Sequence, residues 1–160
     1  MKKITFTPIG KIHSPYDNIE DMPIQPTGAK GVEGTVEVDR KYIDGLKDLE
    51  GFSHIILLYH FHLSEGFSLL VKPFLDDEEK GLFSTRAPKR PNPIGLSIMK
   101  LLDRDDNILK IEGVDVIDGT PLLDIKPYVP EFDIIEVEST GWLAKNARRV
   151  EEVRSDERFG

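Results

Sequence analysis

The run from Phe52 to Leu63, FSHIILLYHFHL, does most to set the fold. It is nearly continuous in apolar, strand-forming residues and bounded by glycines, which predicts a central strand buried on both faces. Interrupted by His60 and far shorter than the roughly 20 apolar residues of a membrane helix, it predicts no membrane span. The neighbouring segments repeat the strand signal in shorter pieces. Residues 2–14 place Ile4, Phe6, Ile9 and Ile12 among polar neighbours, predicting a strand with Pro8 at a bulge or edge. GTVEVD alternates as a second strand and LLVKPFL reads as another, followed by the solvated turn DDEEKG. Residues 95–119 read as a hairpin around the turn-forming cluster DRDDN, and residues 120–133 as an extended segment punctuated by Pro121, Pro127 and Pro130.

Helical signals are few. Tyr42, Leu46 and Leu49 fall at helical spacing ahead of Gly51 and predict one short helix. Leu143, Ala147 and Val150 form a stripe that predicts another over about residues 141–153, with Thr140 as its N-cap. Residues 14–31, rich in proline, glycine and acids, read as a long irregular loop of the kind that carries function. Many short strands without βαβ alternation predict a mainly β protein, an all-β barrel or sandwich, with residues 1–160 as a single domain.

Several chemistries are excluded. Without cysteine there is neither a disulfide nor a thiolate site. No dinucleotide fingerprint, P-loop or nucleophile elbow occurs. The start MKKITFTPIG is basic but lacks a signal peptide's apolar core, so the cytoplasm is the expected location. A net charge of −8 argues against binding nucleic acid with the whole surface, though not with a local basic patch.

One such patch exists. FSTRAPKRPNPIGLS, residues 83–97, carries Arg86, Lys89 and Arg90, with no acid between Gly81 and Lys100. Pro88, Pro91 and Pro93 stiffen it, so its cations are held at low entropic cost for an anionic partner. Gly95 permits close approach of a ligand or strand. In GVDVIDGTPLLDIKPY, Asp115, Asp118 and Asp124 are interleaved with apolar residues; Asp118 suits either a general base or an Asx turn. His54, His60 and His62 share strand parity, which suggests metal ligands, but hydrogen-bonded histidines on a strand are the better-supported reading because no carboxylate lies close by in sequence.

Taken together, PIGKIHSPY, QPTGAKG, FSHIILLYHFH, FSTRAPKRPNPIGLS and DVIDGTPLLDIKPY, spanning residues 8–128, resemble the TrmO family, also called YaeB or TsaA-like. The resemblance implies a dimeric β-barrel methyltransferase that uses S-adenosylmethionine to methylate N6 of threonylcarbamoyladenosine beside a tRNA anticodon. By motif position it assigns Pro26, Thr27, Gly28, His62, Leu63, Arg86, Leu96, Asp115, Val116, Gly119 and Thr120 to the cofactor. It leaves Lys89 and Arg90 facing tRNA phosphates. The acceptor nitrogen, bearing aryl and carbamoyl groups, is a poor nucleophile, so a base is expected, and Asp118 is the residue expected to serve. Two alternatives stand beside this reading: a His-rich β-barrel metalloenzyme, and a non-catalytic module that holds RNA or a nucleotide.

Overall fold

A computed structural model describes residues 2–18, 22 and 26–145 of the chain. Six strands close into an antiparallel barrel: β1 (Gly10–His13), β2 (Glu33–Val38), β3 (His54–His60), β6 (Ile94–Asp105), β7 (Ile108–Glu112) and β8 (Thr120–Pro127). Their order around the wall is β1-β2-β7-β6-β3-β8. Two short strands outside it, β4 (Leu70–Val71) and β5 (Lys80–Gly81), pair with each other. Closure leaves no barrel edge to template aggregation.

The long strand β6 makes closure possible. Its first half pairs with β3, from His60↔Ile94 to His54↔Lys100, and its second half with β7. A register shift between Leu101 and Asp103 marks the change of partner, where an irregularity can bend the strand around the corner. The expected hairpin is β6–β7, turning through Asp106 at φ 54.

Alternation fills the interior. Ile55, Leu57 and Tyr59 of β3 meet Ile12, Val36, Val38, Met99, Leu109, Ile111 and Leu122 in one core. The expectation that β3 is buried on both faces is corrected here. His54, Ile56, Leu58 and His60 are only half-buried on the outer face. An apolar outer face had hidden the alternation.

Two further corrections concern the ends and helices. Ile4 and Phe6 are 75% and 62% exposed and lie outside any strand, so β1 begins at Gly10 rather than near Lys2. Residues 40–51 form two 3-10 turns, Arg40–Leu46 and Leu49–Gly51, separated by Asp48 in the left-handed region, which breaks the single expected helix. Near the C-terminus, Pro130–Asp133 is one helical turn and Gly141–Lys145 a 3-10 turn. The rest of the helix expected over residues 141–153 lies outside the described residues. Among the described residues no helix is long and apolar enough to cross a membrane.

Candidate cofactor and substrate site

The connection from β7 to β8, Gly113–Gly119, sends Val114 and Val116 into the core and carries Asp115 with them. Asp115 is 7% exposed, and its Oδ1 accepts a 2.8 Å hydrogen bond from Ser97 Oγ. The Ser97 and Tyr59 hydroxyls are 2.9 Å apart. The three groups come from β6, β3 and this connection, and all are buried. Tyr59 reaches Ser97 because its strand partner is Gly95, where any Cβ would fall on the tyrosine ring. The close approach expected at Gly95 is thus filled by this ring, which packs edge-on to Phe61 at 5.4 Å.

Burial dominates the electrostatics. It pushes the Asp115 carboxyl up to about 7, against the opposing pull of the Ser97 bond and the Arg86 charge. It also raises the Tyr59 hydroxyl, which stays a protonated donor. Arg86, exposed on the proline-rich loop, therefore lies within electrostatic reach of both buried groups.

The other expected site residues lie on several elements. Pro26, Thr27 and Gly28 belong to a 3-10 turn, Pro26–Ala29, that packs against β6. His62 and Leu63 follow β3, where Phe61 N–H donates to Pro93 O of the loop. Burial holds the His62 imidazole below its ordinary value, with the charge of His60 adding to the effect, so the ring is neutral near pH 7. Val116 O accepts from Ser14 Oγ at 2.6 Å, and Thr120 Oγ1 donates to Ile117 O at 2.7 Å. Gly119 stands at φ +76 with open space where a Cβ would project, a conformation that favours glycine.

Leu96, Asp118 and Arg90 each have defined surroundings. Leu96 is 50% exposed on the outer face of β6, whereas its neighbour Ser97 holds Asp115 inside the barrel. Asp118 is anchored to β1: its Oδ1 accepts from Ser14 N–H at 3.1 Å and lies 3.2 Å from His13 Nδ1, whose ring also approaches Glu37. Arg90 is turned back on its own loop. Its Nη1 donates to the carbonyls of Leu82, Thr85 and Ala87, and its guanidinium stacks over Phe83 at 5.7 Å, so it organises the segment that carries Arg86 and Lys89.

The three histidines are not drawn to one point. His54 and His60 sit at opposite ends of β3, about 20 Å apart at the usual strand rise, and His54 contacts Ser53 and the Tyr128 ring. Among the described residues no three such side chains group to hold an ion. Sequence reasoning missed Tyr59 and Ser97. Their signal was a hydroxyl at inward parity in each of two paired strands, visible only once Tyr59↔Gly95 fixes the register.

The fold and this arrangement have known counterparts. The chain is 56% identical over 156 residues to a probable S-adenosyl-L-methionine-binding protein of Pyrococcus abyssi, covering 98% of this chain and 85% of that one. It is 38% identical over 140 residues to the tRNA (adenine(37)-N6)-methyltransferase of Escherichia coli, covering 81% of this chain and 60% of the enzyme. A crystal structure of TrmO from Pseudomonas aeruginosa superposes with a TM-score of 0.74 at 35% identity, over 88% of this chain and 63% of that one. The chain thus spans less than two thirds of the two TrmO-type enzymes. Residues 11–134 match the model of the tRNA-methyltransferase O N-terminal domain, and the chain belongs to that family.

Proposed function

We propose that this protein is an S-adenosylmethionine-dependent methyltransferase that acts on tRNA, at N6 of threonylcarbamoyladenosine next to the anticodon. The family match is the observation that carries the reading. The residues present fit the donor. Arg86 offers a cation for its carboxylate, while Asp115 offers a buried carboxyl that a cationic ligand would hold ionised. Gly119 keeps the adjoining space clear of a side chain. Pro26, Thr27, Gly28, His62, Leu63, Val116 and Thr120 are the further residues proposed for the donor site.

When bound, S-adenosylmethionine supplies an electrophilic methyl group. The chain's own residues orient the donor and prepare the acceptor. Asp118 is the proposed base: held by Ser14 and His13 through one oxygen, its half-exposed carboxylate is fixed in direction yet open to solvent. Lys89, on the stiff loop, is the residue proposed to meet tRNA phosphate, with Arg90 shaping the loop beneath it. A second copy of the chain is the proposed cover for the apolar outer face of β6, where Ile94, Leu96 and Ile98 stand in a row. Residues 1–160 act as one barrel domain in the cytoplasm.

The test is transfer of labelled methyl from S-adenosylmethionine to bulk tRNA, with tRNA lacking the threonylcarbamoyl group as comparison. Label in the first alone supports the full reading. Label in both moves the substrate to unmodified adenosine. Donor binding without label in either returns the protein to a non-catalytic module.

A further inference from the structure

The Tyr59–Ser97–Asp115 chain has a direction that its proton count imposes. Two hydrogen bonds link three groups. With Asp115 ionised, the Tyr59 and Ser97 hydroxyl protons fill both bonds, Tyr59 donating to Ser97 and Ser97 to Asp115. With Asp115 protonated there are three protons for two bonds, and the third must find an acceptor outside the chain. Leaving a buried donor unmet costs about 1–3 kcal/mol. The chain therefore favours the anion, in a place where burial opposes it.

We propose that Tyr59 and Ser97 are positioning residues of the donor site: they hold Asp115 as a buried, fixed anion opposite Arg86, so that a cationic ligand meets a carboxylate already set in place. This rests on the methyltransferase reading given above. The geometry has three supports. Gly95 leaves the tyrosine ring the room it needs to reach Ser97. Ser97 occupies an inward position of β6 that Met99 and Leu101 fill with apolar side chains further along. All buried side-chain polar atoms among the described residues are satisfied, so the three hydroxyl and carboxyl groups form a completed unit.

The charged and titratable groups that act on Asp115 are Tyr59 from β3 and Arg86 from the proline loop. Burial lifts the carboxyl to about 7 and the Ser97 bond pulls against it, so the anion is in balance near neutral pH. Removing the Ser97 donor raises the carboxyl further. A hydrogen bond to a charged group corresponds to a shift of about one unit or more.

Two measurements test this on Ser97→Ala, with Tyr59→Phe as the gentler variant that keeps the ring packed and Ser97→Thr as the variant that restores the hydroxyl. The first is the titration of the Asp115 carboxyl carbon by NMR in the ligand-free protein. The second is S-adenosylmethionine affinity from pH 6 to pH 8.5. The expected result is a midpoint about one unit higher in Ser97→Ala, less in Tyr59→Phe and recovered in Ser97→Thr. Donor affinity is expected to fall several-fold at pH 6.5, with the deficit shrinking as the pH rises. A deficit constant across pH, or an unmoved carboxyl midpoint, overturns the positioning role. No donor binding by the wild-type protein at any pH overturns the methyltransferase reading and the donor-site role with it, while the carboxyl titration still reports whether the relay exists.

Discussion

Gly95→Ala sets two opposing effects against each other within one residue. In a strand interior, alanine is favoured over glycine by roughly 0.5–1 kcal/mol because less backbone entropy is lost. At Gly95 the added Cβ collides with the ring of Tyr59, its partner across the β3–β6 ladder. The ring is 3% exposed and packed edge-on to Phe61, so it cannot swing into solvent. Overpacking of this kind costs about 1–3 kcal/mol. Displacing the ring also breaks the 2.9 Å contact with Ser97, adding about 1–3 kcal/mol for buried hydroxyls left without partners. The clash wins, and the net loss is about 1–5 kcal/mol, or a fall in Tm of roughly 2–20 °C for a chain of this size. Urea denaturation and thermal melts measure it. Gly45→Ala is the control, because nothing lies within 4 Å of a Cβ built there; it is expected to be neutral or slightly stabilising. A loss below about 0.5 kcal/mol at Gly95, or equal effects at the two sites, would refute the packing on which the Tyr59–Ser97 contact depends.

Asp115→Asn gives a pH-dependent outcome. The native carboxyl is raised from 3.8 to about 7, so the native state binds more protons than the unfolded chain between those values and loses stability as pH climbs through them. The variant should therefore gain on wild type between pH 5 and pH 8, by about 2–3 kcal/mol, and parallel urea midpoints at the two pH values would expose an absent or reversed trend. Arg90→Ala removes the donor shared by Leu82, Thr85 and Ala87. Amide exchange in residues 82–93 should speed up while the barrel core stays protected, and Arg90→Lys should not rescue it, since a point charge lacks the planar fork. Asp118→Asn preserves an oxygen for Ser14 N–H but no longer accepts a proton, so tRNA methylation should fall at least about a hundredfold with donor affinity retained; loss of donor affinity instead would make Asp118 a structural anchor.

The barrel was legible where one face of a strand was polar. Thr35-Val36-Glu37-Val38 and, in β7, Leu109-Lys110-Ile111-Glu112 show their alternation directly. It was misread where both faces are apolar: Ile56 and Leu58 made β3 look doubly buried, because hydropathy does not distinguish a core from a surface awaiting a partner. Ile4 and Phe6 misled for the same reason, as exposed apolar residues on a segment outside the sheet. At the site, the motif residues Arg86 and Asp115 were named from sequence, yet what holds Asp115 was not. Ser97 and Tyr59 look like ordinary strand residues until the register sets one beside the other. Arg90 looked equivalent to Lys89 in the basic run, and only folding shows that it is turned onto three carbonyls of its own loop.

The proposed donor site joins the proline-stiffened loop and the β7–β8 connection through Arg86 and Asp115. Calorimetric titration of the protein with S-adenosylmethionine, wild type against Arg86→Ala, tests it most directly. Binding of the order of micromolar is expected, weakening about tenfold to a hundredfold in the variant, the worth of a bidentate charged contact, with an unchanged far-ultraviolet spectrum and melt. Equal affinity in the two proteins, or no heat of binding in the wild type, would contradict it.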